Sequence, residues 1–302
     1  MIEIRVPATT ANIACGFDVL GLALGLYYSV TVETRDDRVF TMTNQGEGRE
    51  YLACDEKNLF FRTVQTVWKQ IGFTGIGLSV ESKNEIPVCR GLGSSASCIA
   101  AGVMAANEIA GNVLGIQEMI QIACVLEGHP DNLLPAFMGG FTIVLNIGKE
   151  IRFQKHDFLN DLHLVACVPE YSLSTEEMRR LLPDTYPREK VIFNLSRIAF
   201  LVGSIIQKDR ESFFLALDDA IHQPYREPRV KGFSEVRNFL KKEKLGDAAI
   251  SGSGPTVLLF LRERMSPVVQ EEVQSIFLHQ GVLSIRMIPI PWVRDGIEVR
   301  KS

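Results

Sequence analysis

The order of segments along the chain predicts a fold that mixes helices and strands, of the α/β or α+β class. Three observations carry this. β-Branched and aromatic runs have strand character, apolar residues recur at helical spacing, and glycine-rich turns separate the two kinds of segment in both halves. A chain of 302 residues, 46% hydrophobic and 23% charged, is long enough for one large domain or two ordinary ones.

Residues 2–6 read as a short strand ending at Pro7. Residues 26–34 are rich in Val, Thr and Tyr and read as a second strand. Residues 39–43 are placed to pair with it across the turn at Asp36 and Asp37. Leu59, Val64, Val67, Trp68 and Ile71 mark a helix over 58–71, and Ile76 to Val80 a strand. A loop from Pro87 then runs into a long helix of small residues ending near Asn107. A helix at 116–127, a loop at 128–132 and an apolar strand at 141–147 follow. The charged stretch 149–161 shows no obvious core element, so a boundary is placed there, giving domains 1–152 and 153–302. The second half reads as a strand at 162–168 and helices at 174–182, 189–207 and 232–243. Strands at 247–251 and 256–261, a helix at 267–279 and a strand at 282–290 complete it.

A net charge of −4 with no Lys/Arg cluster argues against nucleic acid or an anionic membrane as partner. The start, Met1-Ile2-Glu3-Ile4-Arg5, lacks the basic and apolar regions of a signal peptide. No apolar run approaches the roughly 20 residues of a membrane helix, so a cytoplasmic location is expected. The six cysteines include no C-x-x-C pair and none at zinc spacing from a histidine, which reads as scattered reduced thiols.

The most informative segment is Gly91-Leu92-Gly93-Ser94-Ser95-Ala96-Ser97, where an irregular stretch becomes a helix. Glycines let a ligand approach the backbone. The first amides of a helix lack internal partners and lie at its electropositive end, which suits phosphate oxygens. The hydroxyls of Ser94, Ser95 and Ser97 add groups for phosphate or Mg²⁺. A P-loop is excluded, because G-x-x-x-x-G-K-[ST] needs a lysine. A dinucleotide fingerprint fits formally at Gly91, Gly93 and Ala96, but the acid expected about 20 residues on would be Glu108, inside a helix. A plain serine-capped helix start is the third reading.

The longer segment Pro87-Val88-Cys89-Arg90 through Ser97 resembles the phosphate loop of the GHMP kinases, P-x-x-x-G-L-G-S-S-A-[AS]. Two further segments in the same order are similar to that family. Val6 to Asp18 resembles P-A-T-[ST]-A-N-[LI]-G-P-G-F-D, and Ala249 to Thr256 resembles S-G-S-G-P-T. Within the family the likeness is to the homoserine kinase branch. It rests on Glu127-Gly128-His129-Pro130-Asp131-Asn132 with Pro135-Ala136, on Ser174 to Arg179 with Leu182-Pro183, on Phe193 to Arg197, and on His222 to Arg226. It covers essentially the whole chain.

The resemblance implies a two-lobed α+β fold. The N-terminal lobe would be like domain 2 of ribosomal protein S5, and the C-terminal lobe ferredoxin-like. It implies ATP and Mg²⁺ as cofactors, homoserine as the small-molecule acceptor, a place in threonine biosynthesis and a homodimer. Residues 87–97 would hold the ATP phosphates, with Ser95 and Glu127 on Mg²⁺. Asn12 and Asp18 would take the amino and hydroxyl end of the acceptor, Arg179 and Arg226 its carboxylate, and His129 would line the pocket. Asp131 is the candidate base. Each has an ordinary alternative: Asp18 as a turn residue, Asn12 as a cap, Arg179 paired with Glu176, His129 as a loop histidine. Two departures stand out. Ala14-Cys15 replaces Gly-Pro and Leu133-Leu134 replaces Val-Ala, the first at a point where backbone conformation matters.

Overall fold

The computed structural model describes residues 1–148 and 150–301. Lys149, which opens the charged stretch, and Ser302, the last residue of the expected second domain, lie outside the described residues. In chain order the first elements are β1 (Ile2–Ala11), β2 (Leu20–Arg35), β3 (Phe40–Gly46), α1 (Leu59–Ile71), β4 (Gly77–Asn84) and α2 (Ser94–Ile109). α3 (Ile116–Glu127), α4 (Leu133–Met138), β5 (Phe141–Ile147), β6 (Glu150–His156), β7 (His163–Pro169) and α5 (Thr175–Arg180) follow. Then come α6 (Arg188–Gln207), α7 (Arg210–Leu215), α8 (Gln223–Arg226), α9 (Phe233–Lys242) and β8 (Gly246–Ile250). β9 (Val257–Leu261), α10 (Pro267–His279), β10 (Ile285–Pro289) and β11 (Glu298–Lys301) close the chain.

The described strands form two sheets, and the fold is α+β. The first sheet runs β11-β1-β2-β4-β3, with β5 and β6 joined to the start of β2. The second, β10-β7-β9-β8, is antiparallel throughout. Its chain order, strand–helix–strand–strand–helix–strand, is the ferredoxin-like connection. β9 shows why it reads as a continuous apolar run. Leu258 and Phe260 enter the large core of the first lobe, while Val257, Leu259 and Leu261 enter a second core under α9 and α10. Both faces are buried, so alternation disappears. Each such side chain contributes about 1.5–3 kcal/mol.

Four local readings are corrected. β1 does not stop at Pro7. It continues to Ala11 through a register shift between Pro7 and Ala8, a place where a missing N–H is tolerated. β3 does not pair with β2. β4, which buries Leu78, Val80, Ser82 and Asn84, inserts between them, and β3, which buries only Met42, takes the edge. The charged stretch does hold an element, since β6 pairs along the whole of β5. Its alternation is masked because it buries only Ile151. The C-terminus returns as β11 to pair with β1 of the first sheet.

Three loops meet where the sheets approach, and they are the three motif segments. Ser251 Oγ lies 2.6 Å from Gly91 O and 2.8 Å from Thr10 Oγ1. Asn12 Nδ2 donates to Gly252 O at 2.8 Å, and Thr9 N–H donates to Leu92 O at 3.1 Å. Gly91 has φ +76°, and a Cβ there would lie 2.2 Å from Ser251 O. Gly93 has φ +70°, and a Cβ there would lie 1.9 Å from Thr9 Oγ1. Gly91→Ala is therefore expected to cost at least about 2 kcal/mol in a urea titration, because a left-handed residue and a backbone collision coincide. A change within about 0.5 kcal/mol would show that the loops are not locked there.

Candidate active site

The site lies in a cleft of about 600 Å³ between the lobes. Its wall at the phosphate loop forms because α2 has Gly93 as N-cap and no side chain on its first amides. Those amides are free for an anion. Val88 to Gly91 and Gly93 to Ser95 line the cleft. Pro87, Leu92 and Ala96 are buried behind it. Ser97 is also turned away, with its hydroxyl 2.8 Å from Pro7 O and 3.0 Å from Gly93 O. Arg90 is spent on the backbone. Its guanidinium donates to the carbonyls of Pro169 (3.1 Å), Glu170 (2.6 Å) and Val88 (3.1 Å), which fastens the loop to the end of β7.

Beside the exposed Ser95, the end of α3 and the loop after it bring in three further groups. Ser95 Oγ donates to Glu127 Oε2 at 2.8 Å. Burial raises the Glu127 pKa, and the Ser95 hydrogen bond only partly offsets it. His129 Nδ1 stands 3.4 Å from Asp131 Oδ1, an ion-pair distance without hydrogen-bond alignment. That carboxylate raises the His129 pKa. Asp131 is buried, and its Oδ1 accepts from the N–H of Asn132 at 3.0 Å.

The opposite wall carries the remaining candidates. α5 is capped by Ser174, has acids in its first turn and bases in its last, and presents Arg179 at its end. Arg179 pairs with Asp18 through two hydrogen bonds of 2.7 and 2.9 Å, while Glu176 pairs with Arg180. Asp18 and Arg179 side chains are about one third exposed, 34% and 39%, so a ligand can reach both. Arg226 is almost wholly buried. Burial, then the like charge of Arg179, brings its pKa down to about 10. Its Nε finds no partner among the described residues. Asn12 is also buried, and its amide is already engaged. Oδ1 accepts from Asp18 N–H at 3.1 Å, while Nδ2 holds Gly252 O. Asn12, Ile13 and Ala14 have φ of +75°, +41° and +60°, so the Gly-to-Ala departure falls on a left-handed residue.

The sequence model of the GHMP kinases N-terminal domain matches residues 58–140. A homoserine kinase of Petrotoga mobilis is 36% identical over 299 residues, covering 99% of this chain and 96% of that protein. One of Caldanaerobacter subterraneus is 35% identical, covering 100% and 96%. The chain belongs to the homoserine kinase family of the GHMP kinases. The crystal structure of a homoserine kinase from Cytophaga hutchinsonii superposes with a TM-score of 0.83 at 24% identity, covering 99% of this chain and 97% of that one, which shows a shared fold.

As a GHMP kinase the chain is an ATP-using phosphotransferase, and one stretch of its cleft was not foreseen from sequence. Asn44, Gln45, Glu47, Tyr51, Leu52, Ala53, Lys57 and Asn58 line it, with Ser82 and Asn84 of β4. Asn44 Oδ1 accepts from Ser82 Oγ at 2.8 Å, and Asn58 Nδ2 donates to Ala53 O at 2.6 Å. The available signal was the alternation of β4. After Leu78 and Val80, its inward positions continue with the polar Ser82 and Asn84. Among the described residues no helix is long and apolar enough to cross a membrane.

The raised Glu127 pKa has a consequence for stability. A pKa raised in the folded state stabilises fully below the unfolded value, and that contribution is lost as pH rises through the folded value. Near pH 7 the buried carboxylate therefore weighs on the fold. Glu127→Gln is expected to raise Tm of the ligand-free protein at pH 7–8 relative to wild type, with the gain shrinking toward pH 4, while kinase activity drops. A Gln variant less stable at pH 7.5 would refute this.

Proposed function

We propose that the chain transfers the γ-phosphoryl group of ATP to the hydroxyl of L-homoserine, giving O-phospho-L-homoserine on the route to threonine. The observation that carries this is the pairing of Asp18 with Arg179, beside the buried Arg226, in the cleft that also holds the free start of α2. A carboxylate next to two guanidinium groups complements an α-amino acid: Asp18 for the ammonium, Arg179 and Arg226 for the carboxylate. In the free site Asp18 and Arg179 satisfy each other. A zwitterion replaces that pair by two of the same kind, so no charge is left buried alone. The full-length likeness to proteins named homoserine kinase supports the same acceptor.

The start of α2 and residues 88–95 would hold the phosphates. Ser95 and Glu127, 2.8 Å apart, offer two hard oxygens at one point and fit Mg²⁺, which takes few protein ligands and completes its shell with phosphate and water. When bound, the metal would neutralise charge on the phosphates. The stretch from Asn44 to Asn58 is left for the nucleoside. His129 lies at the boundary between the carboxylates and the guanidinium groups, where it lines the cleft with its Nδ1 turned toward Asp131. Asn12 acts by holding Asp18 in place. In a loose transition state positioning and charge do most of the work, and Asp131, which lines the cleft, would take the hydroxyl proton.

An ADP-release assay with Mg-ATP and homoserine, run beside threonine, serine, mevalonate and galactose, tests the acceptor. Turnover is expected with homoserine alone. Arg226→Ala should lower kcat/KM by about 100-fold or more, with Mg-ATP affinity kept. Turnover of another alcohol would move the acceptor, and ATP binding without any turnover would remove the kinase reading for this chain. Asp131→Asn should cut kcat about 100-fold if Asp131 is the base. A loss under about threefold in a folded variant would end that assignment.

A further inference from the structure

His222 is fully buried and precedes α8 as its N-cap. Asp219 fixes the turn, its carboxylate accepting from the N–H groups of Ile221 (3.0 Å), His222 (2.9 Å) and Gln223 (2.6 Å). Phe17 stacks on the imidazole, with ring centroids 5.3 Å apart and planes at 24°. Nε2 lies 2.6 Å from Ala14 O. A carbonyl only accepts, so Nε2 carries a proton. Arg226 Nη1 approaches Nδ1 at 3.2 Å. A guanidinium only donates, so Nδ1 offers a lone pair and the ring is neutral. The surroundings agree. Burial lowers the pKa and Arg226 adds to this, while Asp219, 3.6 Å away, opposes it.

Two arms of the acceptor site therefore end on one ring. Nδ1 accepts from the Nη1 that also donates to Gly252 O at 2.9 Å. That sets the rotation of the Arg226 guanidinium, which lines the cleft. Nε2 holds Ala14, in the loop that ends at Asp18. The backbone there is left-handed at three successive residues, so it needs an external partner to stay put. Phe17, in the same loop, has the Arg226 guanidinium 5.2 Å and the Arg179 guanidinium 5.5 Å from its ring centre. We propose that His222 is a positioning residue for the acceptor amino acid, a neutral ring that keeps Arg226 and the Asp18 loop in register. This rests on the homoserine reading above.

The test uses the full chain with His222→Leu, His222→Asn and His222→Gln, reading KM for homoserine and Kd for Mg-ATP. Leu removes the acceptor for Arg226, a hydrogen bond to a charged group, so KM should rise about 10- to 100-fold with Kd unchanged. Asn offers an acceptor near the position of Nδ1 and should recover most of that loss. Gln keeps a donor near Nε2 but nothing at Nδ1, and should not. Should Leu fail to fold, the Asn and Gln pair decides: a higher KM for Gln supports the proposal, and equal values overturn it. A folded Leu variant with unchanged KM, or a parallel rise of KM and Kd that Asn does not restore, overturns it too. Turnover of homoserine by wild type with either of those results defeats the proposal alone. Absence of homoserine turnover by wild type defeats the function and the proposal together.

Discussion

The site depends on one constraint: the phosphate loop and the Ser251–Gly254 turn touch backbone to backbone. Ser251 O lies where a Cβ of residue 91 would be, and the Ser251 hydroxyl holds Gly91 O and Thr10 together. Asn12 ties the N-terminal loop to Gly252 on the other side. Three segments from distant parts of the chain are thus fixed within hydrogen-bond distance, beside the core into which β7 and β9 of the second sheet also pack. That junction helps to keep the spacing between the start of α2 and the guanidinium groups on the facing wall. Arg90 reinforces it by binding the end of β7. An arginine inside a phosphate loop would be expected to face the ligand, yet it contributes here by fixing the loop.

Charge placement follows from that junction. Arg226 is buried with its guanidinium near that of Arg179, and only one of the two is neutralised by Asp18. Its remaining partners are neutral: the His222 ring and a carbonyl. The nearby Asp18, Asp131 and Asp219 carboxylates act on Arg226 only through space, without a hydrogen bond. On the other side, burial first, and then the nearby Asp131 carboxylate, raise the cost of ionising Glu127. A divalent cation would relieve that. The free cleft thus holds a destabilised carboxylate at one end and a guanidinium without a direct ionic partner at the other. The proposed ligands would complement it with a carboxylate at one end and a metal-bound phosphate at the other.

Much of this was legible in the sequence, and the exceptions have physical causes. The loops read well because their chemistry is local: glycine, serine and a following helix state their purpose within ten residues. The helices with clear periodicity, such as α1 and α10, also matched. Pairing of β3 was misread because adjacency in sequence favours a hairpin, whereas β4 arrives later and buries more. β6 and β11 are short, polar edge segments whose place is set by the sheet they join. Among site residues, Arg179 and Asp18 were named separately, but their mutual pairing depends on the placement of α5 against the N-terminal loop. Ser97 was assigned outward from composition alone, and helix phase turns it inward. His222 was part of a quoted motif, yet nothing in the sequence says that its two nitrogens serve two different arms of the site.

The departure at Ala14-Cys15 shows how such a site tolerates change. Glycine would adopt the left-handed conformation at residue 14 without cost, and alanine does so at about 1–2 kcal/mol. The surroundings hold it there. Ala14 O accepts from His222, Cys15 O accepts from Asn194 Nδ2 at 2.9 Å, and the Ala14 methyl is fully buried. A proline at residue 15 would fix that φ by its ring; here α6 and the N-cap of α8 hold the backbone from outside. Rigidity that a Gly-Pro loop would supply from its own residues is supplied here by its neighbours. The acceptor site thereby becomes more dependent on His222 and Asn194 than a Gly-Pro loop would make it.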